Sequence, residues 1–222
     1  MRTDAIDAVL SFEAAGTACR KHQRSSSETL GAEPSRTGRR SGRSGANLSY
    51  DLVVSQIGEA VARASAYLTE HPDEARYRDS AAVARLGHNL RVDVTGPGGE
   101  AISTDMPRGI GGEATVPSPG WLFRAATASC VAALIGIRAA TLGLDLAPGD
   151  VEVTVDSESD DRGILGLGDD IAAGALSMKV VVRFGAGGPA GAAREALARW
   201  ALEHCPVADT AARPVPIELE VA

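Results

Sequence analysis

Two thiols in this 222-residue chain sit where their surroundings would set their reactivity. Cys205 precedes Pro206 in Glu203-His204-Cys205-Pro206-Val207-Ala208-Asp209-Thr210. Proline fits the first helical position, where its missing N–H costs nothing. The spacing predicts a short helix to about Ala211 with Cys205 at its N-terminal edge, where a thiol attacks or leaves more readily. His204 is adjacent, but residues one apart on a helix do not face each other. Cys130 lies in the middle of a long apolar stretch. A lone buried Cys is most often inert packing, and burial raises its pKa. Cys130 would be about twelve residues into its helix, and the macrodipole fades within the first turn. To act as a nucleophile it needs a cation beside it, and a guanidinium is the simplest one. Arg108, in the glycine-rich loop Pro107-Arg108-Gly109-Ile110-Gly111-Gly112-Glu113, is the first candidate.

The element that must position Cys130 is signalled at both ends. Ser118 is a good N-cap and Pro119 suits the first turn. Gly143 is a natural terminator after Leu142. Between them the residues are mostly Ala, Leu, Ile and Val, without the polar stripe of an amphipathic surface helix. The expectation is a central helix over 118–142, enclosed on most sides.

Taken together, Pro119-Gly120-Trp121-Leu122-Phe123 ahead of Cys130, and Cys205-Pro206-Val207 ahead of a strand-like Val215–Val221, resemble the OsmC/Ohr family of thiol peroxidases. In that family the first reactive Cys follows a Pro-Glu-x-Leu-(Leu/Phe) segment on a long central helix. The second lies in a Cys-Pro-(Val/Tyr)-Ser-like segment near the end. The resemblance covers about residues 50–222. It implies an α+β fold with antiparallel sheets packed on a long buried central helix, in an intertwined homodimer.

The resemblance also implies a reaction. Cys130 would attack an organic hydroperoxide and become a sulfenic acid, and Cys205 would condense with it to a disulfide. An external dithiol, with a lipoyl-type carrier as one candidate, would then reduce the disulfide. Trp121, Leu122, Phe123 and Leu134 would line an apolar pocket suited to an alkyl tail. Arg108 would bind the peroxide, with Arg91 and Arg85 as runners-up because other members draw their Arg from the start of the sheet. No cofactor and no metal are implied. The chain departs from the family at Gly120, where members carry a Glu that restrains the Arg. Glu113 is the possible substitute acid. This departure favours a second reading, an OsmC-like protein without efficient turnover that serves as a redox-sensing or small-molecule-binding module. A weaker third reading, hydrolase-like thiol chemistry at Cys130, finds no His–Asp pair at a recognisable spacing.

The rest of the chain sets the frame. Residues 1–48 read as a disordered basic tail: residues 20–47 are rich in Arg, Ser and Gly, which cannot offset the entropy of ordering. Ala5–Ala15 could form a short helix, and Cys19, in this tail, is given no catalytic role. Residues 49–222 read as one domain: a leading helix over 49–70 with Ser49 as a cap, N-terminal strands over 76–106, the central helix, a hairpin over 150–184, a helix over 189–204, and the second Cys with a last strand over 205–222. The strands of 76–106 (Tyr77–Leu86, Leu90–Val94, Ala101–Thr104) read as an antiparallel meander with one wet face. The acidic, glycine-rich 157–174 reads as a hairpin loop, its spacing matching no calcium loop. His71 and His88 read as turn residues.

A net charge of −7 argues against a dedicated nucleic-acid binder. No run of eighteen apolar residues marks a membrane span. The N-terminus lacks a basic-then-apolar signal, which makes the cytoplasm the expected compartment.

Overall fold

A computed structural model describes residues 45–222. The expected 1–48 tail, the short helix over Ala5–Ala15 and Cys19 lie outside the described residues, apart from the few positions after 44.

Helix α1 spans Gly45–Glu70. It begins four residues ahead of the expected cap, and Ser49 lies inside it, because Ala46, Asn47 and Leu48 hold no helix breaker. Three short strands follow: β1 (Val83–Leu86), β2 (Val92–Thr95) and β3 (Ala101–Thr104). They form an antiparallel sheet in the order β1-β2-β3, with Val94 opposite both Ala84 and Ile102. The first strand is shorter than the alternation of Tyr77–Leu86 suggests. Residues 77–82 have no ladder partner, and Tyr77 is 70% exposed.

Helix α2, Pro119–Thr141, is the central element. Ser118 caps it, its Oγ accepting from the Trp121 N–H at 3.2 Å. Strands β4 (Val151–Glu158) and β5 (Ser177–Phe184) form an antiparallel hairpin in which Val153 pairs Val182 and Val155 pairs Val180. Between them lies a one-turn helix, α3 (Asp161–Ile164), capped by Asp160. Helix α4 covers Ala192–Glu203, and α5 covers Pro206–Ala212.

The core gathers on one stripe of α2. Thr127, Val131, Ile135 and Ala139 recur every fourth residue and are buried, against Leu146, Leu197, Ala201 and Cys205. The main neighbours of α2 are α1, β4, α4 and α5. The expectation of a helix enclosed on most sides is not met within one chain: Trp121 and Leu142 are half exposed. The reason is supply, because one two-stranded hairpin and three helices reach only one side of a 23-residue cylinder. By length and composition α2 would also suit a membrane span, but its buried stripe carries Thr127 and its other faces carry Arg124 and Arg138.

The predicted last strand does not form. Residues 214–222 are irregular, and Ile217, Leu219 and Val221 are 92%, 88% and 87% exposed. A strand needs a neighbour to take up its N–H and C=O groups, and among the described residues this segment has none alongside it.

Candidate active site

Cys130 and Cys205 meet. Cys130 packs against the core cluster that holds Cys205, close enough for one thiol to raise the pKa of the other, although 75 residues separate them in sequence. Both are free thiols; Cys130 is half-buried and Cys205 is fully buried in the core cluster. Local chemistry sets each position. Cys130 lies within α2, one residue ahead of the buried Val131, so it borders the packed stripe. Cys205 is the N-cap of α5, with Pro206 opening the helix. Its Sγ accepts from the Ala208 N–H at 3.4 Å, and the neighbouring Val207 N–H is near enough to favour the Cys130 thiolate. One helical turn thus offers consecutive amides to the two sulfurs.

The electrostatics of Cys130 are those of a resting thiol. Burial pushes its pKa up and the adjacent Cys205 adds to this, while the Val207 N–H pulls the other way. No cation contributes to its shift.

Arg108 is not brought to Cys130. Its Nε donates to the Glu113 carbonyl at 3.1 Å, closing the loop on itself. Glu113 therefore does touch Arg108, but through its backbone; its carboxylate accepts from Asn89 Nδ2 at 2.8 Å instead. Of the runners-up, Arg91 bonds Ser103 Oγ at 3.0 Å and lies 3.6 Å from Asp93, and Arg85 is exposed on β1. Of the expected pocket residues, Leu134 packs with Cys130 against the core. Trp121, Leu122 and Phe123 lie in the first turn of α2, roughly 10 Å or more along the axis from Cys130 at 1.5 Å per residue. Trp121 and Phe123 are 50% and 39% exposed. A groove of about 470 Å³ is lined by Val182, Phe184 and Arg194 and includes neither thiol.

Three features escape a reading of the sequence. The paired amides of Val207 and Ala208 follow only from the helix once it is folded. Arg124 on α2 donates from Nη1 to Ser157 Oγ at 3.2 Å, and a Cβ at Gly120 would lie 3.8 Å from that nitrogen. Asp105, directly after β3, is 2% exposed and accepts from four loop donors. A short acidic residue between a strand and a glycine-rich loop is a recognisable signal for such turn chemistry.

Residues 112–220 match the family model described as OsmC-like protein. The match begins after Arg108 and leaves the three-stranded sheet outside it. No curated protein matches the sequence. Among solved structures, an OsmC-like protein from Mycoplasma pneumoniae shares the fold at a TM-score of 0.51 and 13% identity, over 62% of this chain and 89% of that one. An organic hydroperoxide resistance protein OsmC from Legionella pneumophila aligns at 0.48 and 24% identity, over 60% and 89%. The organic hydroperoxide resistance protein OhrB of Bacillus subtilis aligns at 0.43 and 20% identity, over 60% and 89%. An α+β chain with antiparallel sheets, a long central helix and this family match defines its class. Residues 112–220, just under half of the chain, form an OsmC-like domain.

Proposed function

We propose that the chain is a thiol-dependent peroxidase that reduces organic hydroperoxides, with Cys130 as the nucleophile and Cys205 as the resolving thiol. The observation that carries this reading is the packing of Cys130 against the core cluster that contains Cys205. In the first step the Cys130 thiolate attacks the distal oxygen of R–O–OH. The O–O bond breaks, the alkoxide leaves as an alcohol after protonation, and Cys130 carries S–OH. Cys205 then attacks that sulfur, water leaves, and a disulfide joins the pair. An external dithiol, a lipoyl-type carrier among the candidates, exchanges with the disulfide and restores both thiols. Arg108, or Arg91 or Arg85 in its place, would bind the peroxide and favour the thiolate, and Glu113 would restrain it in place of the family Glu. Trp121, Leu122, Phe123 and Leu134 would receive the alkyl tail.

We further place this chemistry in a cytoplasmic homodimer. Two features support a second copy. Alpha-helix α2 buries one stripe only, and the alternating apolar residues of 215–221 stand unpaired. A partner would cover the first and give the second a ladder.

The alternative reading is an OsmC-like protein without efficient turnover, acting as a redox-sensing or small-molecule-binding module. Gly120 and a Cys130 that no cation lowers favour it. The test is peroxide consumption by the reduced protein with cumene hydroperoxide and a small dithiol. The peroxidase reading expects turnover that Cys130→Ser abolishes. Absence of turnover with both thiols still titratable supports the alternative.

A further inference from the structure

The loop that carries Arg108 is built around a single buried carboxylate. Asp105 follows β3, and its backbone N–H donates to the Pro117 carbonyl at 3.2 Å, so the two ends of the 105–117 loop are tied together. Its side chain faces inward. Oδ1 accepts from the Met106 N–H at 2.8 Å and the Glu113 N–H at 3.3 Å. Oδ2 accepts from the Thr115 N–H and from Thr115 Oγ1, both at 3.0 Å. An ionised carboxylate is acceptor-only and can serve four donors, which is what this loop presents.

The loop is shaped to this carboxylate. At Gly112 a Cβ would collide with the Met106 carbonyl oxygen and stand 2.9 Å from Asp105 Oδ1. Gly111 takes φ 96°, and Ala114 takes φ 53°, a left-handed conformation that is unfavourable for a non-glycine residue. Such a backbone persists where its surroundings over-determine it. The bonds run on to Arg108. Asp105 holds the N–H of Glu113, and Arg108 Nε donates to the carbonyl of the same residue. The turn between β1 and β2 joins from outside, with Asn89 on the Glu113 carboxylate.

We infer that Asp105 is a positioning residue for Arg108: it fixes the loop through Glu113 and thereby sets where the guanidinium can be presented. It supplies by a backbone route the restraint that family members take from the Glu missing at Gly120. The functional consequence rests on the peroxidase reading above; the structural one does not.

Two measurements on the full chain test it separately. The first is tryptic cleavage after Arg108 under native conditions, mapped by mass spectrometry. In Asp105→Asn one half of the clamp becomes an NH₂ facing N–H donors. Cleavage at Arg108–Gly109 should then rise several-fold while cleavage after Arg183 and Arg199 stays at the wild-type rate. An equal rise at all sites, or none at Arg108, overturns the inference. The second is a double-mutant cycle on the rate at which cumene hydroperoxide oxidises Cys130. Asp105→Asn and Arg108→Ala should each slow it by about a hundredfold, the scale of an ångström's misplacement of a positioning group, and the double variant should be no slower than Arg108→Ala alone. Multiplying effects, or a normal rate in Arg108→Ala, overturn Asp105's role through Arg108. If the wild-type thiols ignore the hydroperoxide, the peroxidase reading fails, and the cleavage pattern alone decides whether Asp105 holds Arg108.

Discussion

Cys130 packs against the core cluster that holds Cys205, and the helical turn that Cys205 caps gives its Ala208 amide to the Cys205 sulfur and sets its Val207 amide near enough to Cys130 to favour the thiolate. The two sulfurs therefore need little movement to bond. A disulfide needs Cβ atoms about 3.5–4.5 Å apart, and two side chains packed at one core cluster can approach that spacing without unfolding an element.

Cys205→Ser should separate attack from resolution. Its hydroxyl fills the same N-cap and keeps an acceptor for the Ala208 N–H, so α5 should stay folded. One equivalent of hydroperoxide should then leave Cys130 as a sulfenic acid, trapped by dimedone and seen by mass spectrometry. Excess peroxide should carry it on to the sulfinic acid. Failure to trap any adduct, with Cys130 still free, would argue against Cys130 as the attacking thiol.

The reactivity of Cys130 should keep climbing with pH. Burial, with the help of Cys205, holds its pKa above the ordinary thiol value, so the thiolate fraction grows only as pH passes that raised value. Iodoacetamide labelling of Cys130 in the reduced protein reads this directly. A plateau reached below about pH 7 would mean that a cation, or more N–H donors than the Val207 amide, reaches the sulfur in solution, since these are what favour a thiolate against burial. Repeating the profile in Arg108→Ala, Arg91→Ala and Arg85→Ala would then show whether one of these cations is responsible.

Gly120→Glu restores the family acid on a face that has room for it. Gly120 is exposed, and the new Cβ would meet only Arg124 Nη1, at 3.8 Å. Removing a glycine and adding a negative charge to the first turn of α2 should stabilise the fold by about 1 kcal/mol, read as a higher urea midpoint. If the absent Glu is what limits turnover, peroxide consumption rises as well. A stabilised variant with unchanged turnover would assign Gly120 to fold stability alone.

The parts of the fold legible in the sequence were those with local signals. Ser118 and Pro119 announce the start of α2, Cys205 and Pro206 announce α5, and the alternating valines of 151–155 announce β4, because caps and period-two patterns act within a few residues. What the sequence could not place depends on distant partners. Residues 215–221 carry a strand pattern but find no ladder among the described residues. Arg108 was marked by its chemistry as a partner for Cys130, yet the nearest acceptor for its Nε is a carbonyl in its own loop. Asp105 went unnoticed because its four donors become neighbours only when the 105–117 loop folds back on itself. The proximity of Cys130 to Cys205 was expected from the family resemblance, since 75 residues of spacing alone say nothing about it.

The measurement that tests the two-thiol account most directly is the thiol state of the reduced protein after one equivalent of cumene hydroperoxide. The account predicts one intramolecular disulfide: a mass lighter by two hydrogens, a Cys130–Cys205 cross-linked peptide, and cumyl alcohol formed in equal amount. A protein that leaves the peroxide intact, or that consumes it with Cys130 and Cys205 still unlinked, would contradict it.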